Sequence, residues 1–373
     1  MRRGIIDPSL QLTYRERFHR VFSYETVDHI PDIEFGYWKE TLIRWHKEGL
    51  PKWVTDNEKA DVYFGFETAH YRTIPIVVPF KPFEYTILRE DERTMIVRDE
   101  AGVIKMVFKE GVGVSIPTYL EFPVKDWETW EDYKSRYDLD NIKYPENWDE
   151  LKEEYKNRDY PVGISAGGFF GWARNLMGLK TLCRMFYKDP DLIRDMFEFR
   201  TEMILKSIEK AAREVDLDYA SWWEDMCYKS GPLISPKHFK EFMVPCYKRI
   251  TDFLREHGVK INIMDSDGNI DLLVPLWLEA GINCFFPCEV MAGSDPIYLR
   301  EKYGKEALLK GGVDKMALIK GPKYIDKELE RLRPLIEEGG YIPHVDHRVP
   351  ADVPLKHYLY YLKQKRKIIG LTS

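Results

Sequence analysis

The chain has 373 residues, with 56 lysines and arginines against 62 aspartates and glutamates and a formal net charge of −6. No basic block is present to attract nucleic acid or an anionic membrane, and no stretch approaches the roughly 18 apolar residues that span a bilayer. The five cysteines (Cys183, Cys227, Cys246, Cys284 and Cys288) are scattered, and the start "MRRGIIDPSLQLTYRERF" lacks an apolar signal core; a reduced, cytoplasmic protein that handles a small molecule is expected.

In chain order, "HIPDIEFG" (29–36) reads as an early strand. Residues 68–125 break the rhythm that follows: "YTILREDERTMIVRDEAGVIKMVFKEG" alternates β-rich runs with turn signals, as an inserted antiparallel meander does. From about residue 158, short apolar runs alternate with helix-period segments. The strand candidates are "YPVGISA" (160–166), "LDYASWW" (217–223), "VKINIM" (259–264), "INCFFP" (282–287), "EALLKGG" (306–312) and "GYIPHV" (340–345). Amphipathic stretches over 182–214 and 236–258 lie between them, the second closed by Gly258 as a C-cap. Strand then helix, so often repeated, argues a parallel sheet. The simplest architecture is α/β, a closed (β/α)₈ TIM barrel forming one domain over 1–373, with the meander of 68–125 inserted; an open doubly wound sheet gives the same local pattern.

Barrels of this kind work from the carboxyl ends of their strands. Five candidate strand ends carry polar groups: Glu224 and Asp225; Asp265, Asp267 and Asn269; Glu289; Asp314 and Lys315; His344, Asp346 and His347. Any one of these carboxylates can be a helix cap. So many at one mouth would repel, and protons, donors or a cation must offset them. Asp265 and Asp267 alternate along an extended strand end and point the same way, and His344 from a distant strand would complete a metal tripod with one position open. Zinc, iron or manganese suits such a set. Asp346 is placed to orient His347 or His344. Phe169, Trp222 and Trp223 are candidates for an aromatic wall around the substrate. Cys284 and Cys288 alternate with Phe285 and Phe286 as buried structural thiols do.

The strings "DSDGNIDLLVPLWLEAGINCFFPCEVMAG", "LLKGGVDKMAL", "GGYIPHVDHRVPADVPLKHYLYYL" and "YRERFHRVFSYETVDHIP" resemble the uroporphyrinogen decarboxylase superfamily, which is built on a (β/α)₈ barrel. The resemblance implies one of two chemistries. Its decarboxylase branch needs an arginine-rich loop for the porphyrinogen carboxylates, whereas the early region here, "IEFGYWKETLIRWHKEGLP", has no closely spaced arginine pair. Its corrinoid-dependent methyltransferase branch carries a His-x-Cys-Gly-Asn string and a later cysteine as metal ligands. Here the string is Asp265-Ser266-Asp267-Gly268-Asn269 and the later position is His344.

Oxygen ligands in place of thiolate make a harder Lewis acid, suited to an ether oxygen rather than to a thiol. The resemblance therefore implies transfer of a methyl group from a small methoxylated, aromatic donor to a corrinoid (a cobalamin-type cofactor), in the manner of an O-demethylase. Asp265 and Asp267, with His344 and Glu224, would hold zinc or a similar ion, or a proton network, against the methoxy oxygen, and Glu224, Asp346 and His347 are the candidate catalytic residues. The chain shows no Asp-x-His-x-x-Gly loop, so a separate corrinoid carrier protein is the expected partner, and self-association as a homodimer is open. A cofactor-free decarboxylase using the same carboxylates and a non-catalytic barrel are the alternatives.

Overall fold

The computed structural model describes residues 4–70, 72–109 and 117–371. In chain order its strands are β1 (Arg72–Thr73), β2 (Thr86–Glu90), β3 (Thr94–Arg98), β4 (Ile104–Phe108), β5 (Thr118–Glu121), β6 (Val162–Gly167), β7 (Tyr219–Trp223), β8 (Cys227–Tyr228), β9 (Gly231–Pro232), β10 (Ile261–Asp265), β11 (Cys284–Phe286), β12 (Leu308–Lys310) and β13 (Tyr341–Ile342). Among the described residues, seven of them form one parallel sheet in the order β1-β6-β7-β10-β11-β12-β13. Each strand pairs with the next in the chain and the order never reverses, which is single winding and not the doubly wound alternative.

The short strands are nearly continuous apolar runs because helices cover the sheet. The segment expected as one helical stretch over 182–214 is two helices, Leu179–Lys188 and Pro190–Glu214, separated at Asp189, whose side chain caps the second ahead of Pro190. Gly258 sits at φ 87°, the left-handed position after the helix Val244–Glu256. No described helix is long and apolar enough to cross a membrane.

Residues 29–36 differ from expectation: they are extended but form no strand. Pro31 has no N–H to give to a ladder. Side chains hold the segment instead, with Lys365 Nζ donating to Ile33 O at 2.8 Å and the Asp32 N–H donating to Glu67 Oε2 at 2.7 Å. It touches both free edges of the sheet, through Glu67 N to Asp32 O just ahead of β1 and Val345 N to Glu34 Oε1 just after β13. Strands β2 to β5 form the antiparallel meander, with neighbours paired in sequence.

At the amino end of β7, Asp218 is wholly buried and gathers Arg15 Nε (2.7 Å), Arg158 Nη2 (2.6 Å), His19 Nε2 (2.6 Å) and the Val162 N–H (2.7 Å). One carboxylate thus ties the starts of β6 and β7 together. Burial alone would raise its pKa, yet these donors hold it down at about 2. A depressed pKa contributes stability that is full above the unfolded carboxylate value and lost as pH falls through about 2. Asp218→Ala is expected to cost about 3–5 kcal/mol at neutral pH, because it strands buried guanidinium groups. Urea unfolding should show that gap closing as the pH is lowered toward 2.

Candidate active site

At the carboxyl ends of the parallel strands lies a cavity of about 300 Å³. Its walls come from Ser165 on β6, Ser221, Trp222 and Trp223 on β7, Ile263 and Asp265 on β10, Phe286 on β11 and Lys310 on β12, closed by Ile33, Glu34, Phe35, Thr68 and His344. Ladder registers align Trp223, Asp265 and Phe286 across three adjacent strands, so their positions are fixed by backbone hydrogen bonds.

Three carboxylates meet at this mouth. Oxygens of Asp225, Asp265 and Asp267 all lie within 4.8 Å of one another. Asp225 reaches the group because the chain turns sharply after β7: Glu224 N still donates to Asp265 O at 3.0 Å, and Asp225 then adopts φ 46°. Burial, reinforced by the charges of Asp267 and Asp225, pushes the Asp265 carboxyl up to about 7. Burial and Asp267 raise Asp225 also, while Arg174 opposes them. Asp267 has one oxygen, Oδ1, buried without a partner, and Oδ2 lies 3.3 Å from His347 Nε2. Burial works against protonation of His347, but the hydrogen bond and charge of Asp267 win and raise its pKa. The imidazole stacks on Trp38 with ring centroids 5.6 Å apart.

His344 is not a member of that carboxylate group; Asp225, which the expected metal tripod left out, lies beside Asp265 and Asp267 instead. It sits instead on the inner wall, 1% exposed, with Nδ1 donating to Val345 O at 2.8 Å and Nε2 buried without a partner. Burial and the charge of Lys310 hold its pKa well below the usual value. Lys310 is itself buried, which lowers its pKa, and its ammonium lies 5.2 Å from the centre of the Phe286 ring.

The oxygens of the two expected catalytic carboxylates are taken up by the surrounding chain. Glu224 is fully buried and accepts from the N–H groups of Phe169 (2.7 Å) and Gly171 (2.8 Å) and from the Tyr247 hydroxyl, at the start of the helix Phe170–Met177. Asp346 accepts from Val290 N (3.1 Å), Lys315 N (3.0 Å) and Lys315 Nζ (3.5 Å), binding the loops after β11 and β12. It hydrogen-bonds to neither imidazole. Phe169 packs against Phe197 and Tyr247 rather than lining the cavity. Trp222 and Trp223 do line it. Sequence reasoning passed over Glu34, Phe35, Phe286 and Lys310; the charges inside the short apolar runs "DIEF" and "LLKG" were the available signal.

A profile of the family Uroporphyrinogen decarboxylase (URO-D) matches residues 93–367, well over half of the chain. The chain belongs to the URO-D family. Among solved structures it is similar to a methyltransferase from Methanosarcina mazei, with a TM-score of 0.59 and 16% identity, covering 96% of this chain and 99% of that one. At that identity the likeness shows the shared fold.

The raised Asp265 pKa carries a sign. An acid whose folded pKa exceeds its unfolded one loses stability as pH rises from the unfolded value to the folded one, here from about 4 to about 7. Asp265→Asn is therefore expected to be more stable than the parent at pH 8, on the order of 2 kcal/mol, with the advantage vanishing near pH 4. Thermal unfolding across that range checks it; a parent that is the more stable at pH 8 without added cations would contradict the repulsion.

Proposed function

We propose that this URO-D family member is a cytoplasmic methyltransferase that moves a methyl group from a small methoxylated aromatic substrate to a corrinoid held by a separate protein. The observation that carries this reading is the cluster of Asp225, Asp265 and Asp267 at the mouth of a cavity with aromatic walls. Its fold, shared with the Methanosarcina mazei methyltransferase, supports the reading, and we take residues 29–36 as filling the eighth place of a closed barrel.

A divalent ion fits the three carboxylates by their donor chemistry: all are oxygens, they repel, and Asp267 Oδ1 is buried without a partner. Asp225, Asp265 and Asp267 would hold zinc or a similar ion, which supplies Lewis acidity toward a methoxy oxygen. The corrinoid supplies the nucleophile for the methyl carbon.

The remaining work belongs to the chain. Trp222, Trp223 and Phe286 flank a flat ring, and the edge-on pair Phe35 and Phe286, 4.5 Å apart, narrows the slot. His347, its proton favoured by Asp267, is the group we assign to protonating the leaving oxygen. A cavity of about 300 Å³ is at the small end of ligand sites and suits one ring. Among the described residues Lys310 is the one lysine or arginine on its walls, against Asp265 and Glu34, which is the wrong charge balance for a tetrapyrrole bearing eight carboxylates.

One observation favours a second reading: a carboxyl with its pKa near 7, as at Asp265, can donate a proton in a cofactor-free decarboxylation. Metal analysis separates the two. The purified protein is expected to hold about one divalent ion per chain, lost in Asp265→Ala, Asp267→Ala, with methyl transfer from methoxylated aromatics to cob(I)alamin falling about tenfold or more. A metal-free protein that releases carbon dioxide from a carboxylated substrate would select the second reading, and a protein with neither activity would be a non-catalytic barrel.

A further inference from the structure

A groove of about 470 Å³ runs between the helix Asn57–Phe64 and the last helix, Leu355–Ile368, and shares no lining residue with the cavity at the strand ends. Its apolar lining is Tyr63, Phe64, Leu359, Leu362 and Leu371, with Leu359 46% and Tyr63 40% exposed. Lys363, Arg366 and Lys367 complete it, and among the described residues no carboxylate does. In a chain of net charge −6 this is a patch of the opposite sign.

The acids behind the groove do not offset its cations. Asp32 serves two of them at once, Lys365 Nζ at 2.8 Å and Arg366 Nε at 2.7 Å. Glu34 and Asp61, which also feel Lys365, are pushed toward the neutral form by burial, Asp61 to about 7. Lys363 and Lys367 have no acidic partner among the described residues and stand one helical turn apart, where like charges repel. Arg366 is held by Asp32 and by the Phe64 carbonyl, so its guanidinium is a fixed donor. A cation in the last turn of a helix complements the helix dipole, which accounts for Lys367 but not for the apolar lining beside it.

Shape decides what fits. The lining residues of the last helix run from Leu359 to Lys367, about 12 Å at the helical rise per residue. Spread over that length, the volume of about 470 Å³ leaves a cross-section of about 40 Å², half or less of the roughly 80–110 Å² of an α-helix with its side chains. A partner helix is too wide to lie in such a slot, whereas an extended alkyl chain is not.

We propose that this groove binds one amphiphilic carboxylate, its alkyl chain lying against Leu359, Leu362 and Leu371 and its head group between Lys363 and Lys367. The apolar lining supplies the affinity for the chain, and the uncompensated charge selects an acid over an alcohol of the same length.

The test is calorimetric titration of the whole protein with dodecanoate and with hexanoate, each below its micelle concentration. Dodecanoate is expected to bind at about one site per chain and about tenfold or more tighter than hexanoate, because more methylenes leave water. Lys363→Glu, Lys367→Glu should weaken dodecanoate about tenfold or more, while Lys363→Arg, Lys367→Arg should keep the parent affinity; both positions are exposed, and the thermal midpoint of each variant checks that it folds. No binding of dodecanoate, many sites per chain, or equal affinity for the two acids would each overturn the assignment without any variant. Undiminished binding in the charge-reversed variant would place the acid elsewhere and overturn it too. Binding to phosphatidylglycerol vesicles without binding of free dodecanoate would make this face a membrane contact instead.

Discussion

Like charges held together by a rigid backbone govern this site. Asp265 is locked in register with Trp223 on one side and Phe286 on the other, and Asp225 is delivered by a left-handed turn that the Glu224 backbone hydrogen bond fixes. The carboxylates cannot drift apart without unzipping a parallel ladder. Burial first, and the neighbouring aspartate charge after it, therefore raise the proton affinity of Asp265 and Asp225, and the hydrogen bond and charge of Asp267 raise the pKa of His347. A group that neutralises the cluster gains this stored repulsion as binding energy, which is how a scaffold makes a metal or proton site without dedicated cations.

Two other acidic groups at the strand ends are also raised by burial, Asp346 to about 6, but differ in having partners for their oxygens. Glu224 and Asp346 are buried at least as deeply, yet their oxygens are saturated by backbone N–H groups, a tyrosine hydroxyl and Lys315. Both fasten loops. What separates these carboxylates from the cluster at the mouth is donor supply rather than burial. At the opposite end of the sheet Asp218 makes the same point, with two arginines, a histidine and a backbone N–H around one side chain.

Much of the fold was legible because its strands are short apolar runs bounded by turn residues: the observed parallel strands from Val162 onward match the expected ones to within three residues at each end, while the two-residue strands β8 and β9 were not expected. Residues 29–36 misled because their apolar pattern is that of a strand, while Pro31 and the anchoring Lys365 and Glu67 lie beyond what periodicity reports. At the site, the pair Asp265 and Asp267 followed from period two. The third partner did not. Whether Glu224, Asp225 or His344 joins them depends on the direction of the chain one residue past the strand, and the φ of 46° at Asp225 is set by tertiary contacts. The adjacent carboxylates Glu224 and Asp225 thus face different surroundings.

The cavity consequently has two unlike ends. Its mouth concentrates carboxylates that favour a cation or a proton, while its inner wall sets Lys310 and His344 beside Glu34, with Phe286 next to both Lys310 and His344. On the proposed reading a methoxy oxygen meets the acidic mouth, and the strand register that holds Asp265 between Trp223 and Phe286 sets the direction of the ring before any reaction begins. That constraint lies in the backbone, so the side chains that face the ring need little freedom of their own.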